Sequence, residues 1–199
     1  MGEWQAIPGE TPIEDISGLI PRYVQSRSQL IVVEAENILQ ATIKYLAAKP
    51  TRRQAPFTLK WIYKLHGQMF GNVWKWAGKR RNTELNLGVL PHQIDEVLQS
   101  LLDDLIYWRD KTEMPMIEQA ARLHHRAVSI HPFENGNGRW ARMLGDIWLK
   151  QHGRPITRWP DQAINGVSAV RDEYLRALKA ADRGDCTLLL GLHEKFSAS

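Results

Sequence analysis

From residue 26 onward, apolar residues recur every three or four positions, the period of helices that bury one face. Ser26 or Ser28 can cap a first run whose stripe is Ile31, Ala35, Ile38, Tyr45 and Leu46, and Pro50 stops it. A second run, about Thr58 to Phe70, carries Leu59, Ile62, Leu65 and Met69 inward. The clearest run starts at Pro91, with Ile94, Val97, Leu98, Leu101, Leu105 and Trp108 on one face. A fourth begins near Pro115 and turns Ile117, Ala120, Ala121, His124, Ala127 and Val128 inward. A fifth runs from about Asn137 through Met143, Leu144, Ile147 and Trp148 to a stop at Gly153. Two more are expected, about Asp161 to Ala181 and Thr187 to Phe196. Between the second and third runs the period falls to two. Leu85, Leu87 and Val89 alternate with polar residues there, and Gly88 and Pro91 close a segment that reads as a short hairpin over Arg80 to Val89. Residues 1–25 hold Pro8, Pro12 and Pro21 and little periodicity, as an extended arm lying on the domain would.

With no internal repeat and no linker in 199 residues, the pattern describes one mainly α domain over residues 26–199, with a small hairpin. The single Cys186 excludes an internal disulfide framework and points to a reducing, cytoplasmic setting. No apolar run reaches membrane-spanning length, so no membrane partner is expected. The 26 Lys and Arg exceed the 22 Asp and Glu by four, but the surplus is scattered in groups such as Arg52-Arg53 and Lys79-Arg80-Arg81. That distribution describes a solvated surface, and nucleic acid is not the expected partner. His124, His125, His131 and His152 do not fall at a zinc-binding spacing. The tryptophans sit mainly in the helical stripes, where core packing is their ordinary role.

The chemistry is concentrated in His131-Pro132-Phe133-Glu134-Asn135-Gly136-Asn137-Gly138-Arg139-Trp140-Ala141-Arg142, a loop that runs into a helix. Gly136 and Gly138 let the backbone approach a ligand closely, while the unsatisfied N–H groups of the helix start favour an anion. Arg139 and Arg142 are three residues apart on one face, and two guanidinium forks beside such a nest suit a polyphosphate. A neutral His131 ring just before the nest can accept a proton from an attacking nucleophile. The plainer alternative is a glycine turn in which Arg142 pairs with Asp146 and His131 is a core histidine; the convergence of these groups within twelve residues favours the anion site.

This segment resembles the signature of the Fic domain family, His-x-Phe-x-(Asp/Glu)-Gly-Asn-Gly-Arg-x-x-Arg. Upstream, Leu65-His66-Gly67-Gln68-Met69-Phe70 and Val73-Trp74-Lys75-Trp76-Ala77-Gly78-Lys79-Arg80 are similar to the family stretch ahead of its flap. Gly18-Leu19-Ile20-Pro21, the Asn-x-Gly of the flap and the Asn135 variant further resemble a subgroup from bacterial mobile genetic elements called mobile mystery protein B. The resemblance implies a Fic-type helical bundle with a β-hairpin flap. It also implies an adenylyltransferase that moves AMP from ATP to a Ser, Thr or Tyr hydroxyl of a target protein. In that scheme His131 is the general base and Phe133 a buried anchor. The backbone of Gly136, Asn137 and Gly138 forms the anion hole, the Asn137 side chain adds phosphate contacts, and Arg139 and Arg142 take the β- and γ-phosphates. The hairpin becomes the flap, where Asn82, Thr83, Asn86, Leu87 and Gly88 align an extended target segment by strand addition.

Asn135 stands where the family has an acid that helps hold Mg²⁺. A neutral amide oxygen is a poorer ligand for a hard cation, so magnesium binding is expected with the nucleotide but weakened. Control is expected from an inhibitory partner or from the chain itself. The family's inhibitory pattern, (Ser/Thr)-x-x-x-Glu-(Gly/Asn), is half met at Glu36-Asn37, with Val32 in place of the hydroxyl residue, and the resemblance sets Glu36 against Arg142. Two alternatives remain open at this level. One is a Doc-like kinase, disfavoured by Gly138 where that branch has Lys; the other is a nucleotide-binding regulator without catalysis, favoured by Asn135.

Overall fold

The computed structural model describes residues 16–197. Ser26 caps the first helix by accepting from the Gln29 N–H, and α1 runs Arg27–Leu46. Thr58 does the same for Trp61 at the start of α2 (Leu59–Phe70). Pro91–Gln93 form a 3₁₀ turn that leads into α3 (Ile94–Lys111). Its first-turn Asp95 and Glu96 and last-turn Arg109 and Lys111 match the polarity of the helix. The helices α4 (Met116–Ile130) and α5 (Asn137–Gln151) pack against each other at the centre, with α3 beside α4 and α1 and α2 against α5. One apolar core joins these five. Beyond it, α6 (Asp161–Ile164), α7 (Ala169–Ala181) and α8 (Thr187–Ser197) enclose a smaller cluster of Trp159, Ile164, Tyr174, Ala177, Leu189 and Leu192, and α8 rests on α4.

Three expectations change. The buried face of α1 is Leu30, Glu34, Asn37, Ala41 and Tyr45, whereas Ile31, Val32, Leu39 and Ile43 stand about half exposed. The helix carries two apolar stripes, and spacing does not say which one meets the core. The expected helix over 161–181 is two helices, because Ser168 bonds the Ala163 carbonyl and caps a new start at the Arg171 N–H. The segment over 80–89 contains no strand among the described residues; its backbone is held by a side chain instead, as described below. Of the expected arm, residues 1–15 lie outside the described residues. Leu19 pairs with Trp74 in an isolated antiparallel bridge, which lays residues 18–20 along the turn after α2.

Candidate active site

The α4 helix ends at His131, whose backbone is left-handed (φ 53°), an uncommon state for a residue with a Cβ. Its carbonyl accepts from Arg81 Nε at 2.6 Å, which holds the corner. The ring is almost wholly buried and one ring nitrogen donates to the Val128 carbonyl, so the neutral ring presents an acceptor at its other nitrogen. Burial first, then the nearby Arg81 charge, hold the imidazolium down to a pKa of about 4, so the ring is neutral near pH 7.

The loop after His131 is fixed from below. Phe133 is fully buried, stacked on His66 at 3.6 Å between ring centres and meeting Trp140 edge-on at 4.9 Å. His66 accepts the Gly78 N–H at Nδ1 (2.9 Å), which places its proton on Nε2, where it donates to the Asn135 carbonyl (3.1 Å). Burial pushes the pKa of His66 down to about 3, so this tautomer persists at any working pH. Gly136 turns left-handed (φ 79°), and a Cβ there would sit 2.7 Å from Phe70, so no other residue fits. The Asn137 side chain is turned inward, accepting the Phe133 N–H at Oδ1 and donating to the Phe133 carbonyl. The expected phosphate contact from that side chain is therefore corrected. Both its ends are spent bracing the loop, which leaves the Asn137 backbone for an anion.

No side chain caps α5 and its first turn holds no acid, so the orphan N–H groups and the positive end of the dipole are directed at the space beside His131. Both expected arginines stand there, each with protein partners. Arg139 makes an ion pair with Glu34 (2.6 Å) and lies over the Phe70 ring; Glu34 also accepts from Trp74 Nε1 (2.7 Å) and its side chain is only 6% exposed. Arg142 donates to Asn165 (2.9 Å) and more distantly to Asp161 (3.4 Å). It does not bond Asp146, whose carboxylate accepts the Thr157 N–H. The placement of Glu36 against Arg142 is also corrected. Two residues turn a helix by about 200°, so with Glu34 inward Glu36 is exposed to solvent.

The residues expected to hold Mg²⁺ do not fit it. Asn135 Oδ1 accepts the following Gly136 N–H at 2.6 Å, and the neighbouring Glu134 carboxylate accepts from Thr83. Among the described residues no three acidic, His or Cys groups gather as a metal site.

Over residues 80–90, Arg81 replaces the strand ladder. Its side chain is buried to 1% exposure. Besides the His131 carbonyl, it donates to the carbonyls of Thr83 (2.7 Å) and Val89 (2.5 Å), while its own N–H reaches the Pro132 carbonyl. One guanidinium thus closes the loop on itself and ties it to the His131 corner. Asn82, Thr83, Asn86, Leu87 and Gly88 are exposed at the rim. Gly88 also lies against the His131 side chain, 2.7 Å from where a Cβ would be, in a left-handed conformation (φ 87°).

Four residues that the linear pattern did not single out thus build the site: Glu34, His66, Arg81 and Tyr174, the last close to Arg142. For Glu34 a signal existed, since it shares the register of Leu30, Asn37, Ala41 and Tyr45.

Comparison with known proteins places this arrangement. Residues 56–149 match the model of the Fic/DOC family. That segment is similar to a Fic domain. It is 34% identical over 128 residues to a protein adenylyltransferase fic-1 of Caenorhabditis briggsae, covering 62% of this chain and 24% of that protein. A Fido domain-containing protein of Dictyostelium discoideum is 36% identical over 93 residues, 47% of this chain and 60% of its own. Among solved structures, a Fic-1 fragment of Caenorhabditis elegans superposes with a TM-score of 0.68 at 26% identity, over 93% of this chain and 53% of that one. The fold is also that of BepC of Bartonella tribocorum, solved with bound AMPPNP (TM-score 0.68, 17% identity, 92% and 93% covered). The chain thus spans about a quarter of the length of the adenylyltransferase that it matches in Caenorhabditis briggsae. Glu34 comes from α1, upstream of the matched region, and Tyr174 from α7, downstream of it.

Proposed function

We propose that this chain transfers AMP from ATP to a hydroxyl group of a target protein. The observation that carries the reading is the meeting, at one helix start, of a neutral buried imidazole with a glycine nest and two guanidinium groups. The adenylyltransferase names of the relatives support it. In the reaction, the target hydroxyl oxygen attacks the α-phosphorus, the bond from that phosphorus to the pyrophosphate oxygen breaks, and the hydroxyl proton passes to His131. The α5 N–H groups with Arg139 and Arg142 neutralise the departing pyrophosphate, so catalysis is mostly positioning and charge compensation. No step is routed through Mg²⁺, because the donor set does not fit it. The exposed 82–88 rim beside His131 receives the target segment.

The resting chain restrains itself. Glu34 occupies Arg139 and must be displaced before a β-phosphate can take the same guanidinium. The resemblance to the mobile-element subgroup rests on Asn135 and on the Gly18–Pro21 segment, part of which pairs beside Trp74.

The test is incubation with ATP labelled at the α- or the γ-phosphate in a lysate, with wild type, Glu34→Gly and His131→Ala proteins. Label from the α-phosphate on protein, raised by Glu34→Gly and lost in His131→Ala, is the expected result. Label from the γ-phosphate would replace the reading with a kinase, and nucleotide binding without transfer would replace it with a regulator, the reading Asn135 favours.

A further inference from the structure

The second arginine of the site is held by a buried polar chain that reaches across the small C-terminal cluster. The Tyr174 ring lies under the Arg142 guanidinium, with 5.7 Å to the ring centroid. The Tyr174 hydroxyl is 2.9 Å from His124 Nε2; His124 Nδ1 is 3.1 Å from His193 Nε2, and His193 Nδ1 is 2.8 Å from Thr157 Oγ1. Tyr174, His124, His193 and Thr157 come from α7, α4, α8 and the connection after α5, and all four are buried. A satisfied network at this depth fixes geometry, because any member that swings away leaves the others unpaired.

The chain also points at the anion site. A Cβ added to Gly138 would lie 3.8 Å from the Tyr174 hydroxyl and 3.7 Å from an Arg142 nitrogen, so the phenol stands at the first turn of α5. With both imidazoles neutral, each ring carries one proton, and the chain has two consistent directions. In one, Tyr174 donates to His124. In the other, His124 donates to Tyr174, and the phenol proton turns toward whatever occupies the nest.

We propose that Tyr174, held by His124 and His193, is a positioning residue that sets how Arg142 meets the terminal phosphates of the nucleotide. This rests on the reading that the start of α5 takes those phosphates. A residue that only stabilised the fold would affect all ligands alike, whereas one acting through Arg142 affects those with a phosphate chain. The experiment is calorimetric binding of AMP and of the α,β-methylene analogue of ATP to wild type, Tyr174→Phe and Arg142→Ala proteins. Phe retains the ring beneath Arg142 and removes only the hydroxyl.

Arg142→Ala is expected to weaken the analogue more than tenfold and leave AMP within twofold. Tyr174→Phe is expected to weaken the analogue by about fivefold, the size of the one hydrogen bond to His124 that anchors the ring, with AMP again within twofold. A wild-type ratio of the two affinities in Tyr174→Phe, or equal weakening of both ligands, overturns the proposal. A wild-type ratio in Arg142→Ala overturns instead the reading beneath it. His124→Gln, which loosens the phenol without removing it, is expected to shift the ratio in the same direction by a smaller factor; an unchanged ratio there removes the histidines from the proposal.

Discussion

Arg139 and Arg142 lie three residues apart on one helix and were expected to do similar work, yet the protein holds them differently. Arg139 is gripped from upstream by a full carboxylate that is itself buried and bonded to Trp74. Arg142 lies over the Tyr174 ring and is held from downstream by an amide and the edge of Asp161, whose side chain is 72% exposed. Breaking the first pair leaves a buried charge alone. Breaking the second exchanges neutral or solvated partners for others. The first arginine therefore works as a lock and the second as a pre-set receptor, although both read as one phosphate clamp in the linear motif.

The largest effect tests whether the two sides share one support. His66 and His131 brace the Arg139 side, and His193 the Arg142 side. Burial holds their pKa values down to about 3, 4 and 3, against 6.5 unfolded. The folded state thus binds fewer protons than the unfolded one below pH 6.5, so stability is full above that value and falls as the pH drops toward 4. Each group is expected to contribute a loss of about 2 kcal/mol between pH 7 and pH 5. Buried Asp146 is shifted upward and opposes part of this. Urea denaturation across that range checks it, with His193→Gln expected to flatten the slope. A flat profile in the wild type would show that the histidines are not neutral in the fold.

Next in size is the contrast itself. Arg139→Ala leaves Glu34 buried without its cation and is expected to cost about 3 kcal/mol, whereas Arg142→Ala is expected to cost about 1 kcal/mol. Thermal and denaturant unfolding measure both. Glu34→Gln combined with Arg139→Ala is expected to recover much of the larger loss, since no charge is then stranded. Equal costs for the two arginines would erase the distinction.

What could be read ahead of the structure follows the same division. His131, Phe133, Gly136 and the two arginines fall within twelve residues, and a loop entering a helix is a local event, so spacing sufficed to place them together. The helices after Thr58 and near Pro115 are equally legible from their apolar stripes. What escaped depends on contacts distant in the chain. Glu34 meets Arg139 across 105 positions, and Arg81 meets the His131 carbonyl across 50. In α1 the expected stripe is right at Ile38, Tyr45 and Leu46, which meet the core, and wrong at Ile31 and Ala35, where Leu30 and Glu34 face inward instead. The alternation of Leu85, Leu87 and Val89 suggests strands, but a buried arginine takes the Thr83 and Val89 carbonyls at the two ends of that stretch. The Asn137 side chain was assigned to a ligand because nothing in the linear order shows that it faces back onto Phe133.

A smaller effect sharpens the idea of the lock. Glu34→Gln keeps the shape and the acceptor for Trp74 but removes the charge on Arg139. Triphosphate affinity and AMP transfer are expected to rise about tenfold, the size of one charge-assisted contact. Steady-state labelling beside calorimetric binding would separate the two quantities. If neither rises, Glu34 is a structural partner of Arg139 and no restraint.

The smallest effect is expected at Asp161, the one acid among the described residues that is paired with Arg142. Its contact is long, its carboxylate is mostly in water, and Asn165 holds the same guanidinium nitrogen more closely. An exposed pair of this kind contributes little because water screens it and both side chains lose freedom in forming it. Asp161→Asn should therefore change stability by less than about 0.5 kcal/mol and triphosphate affinity by no more than about twofold. That near-silence distinguishes the two arginines as firmly as the large effects do. If Asp161→Asn instead matched Glu34→Gln, Arg142 would also be locked by a carboxylate, and the nucleotide would have two ion pairs to displace.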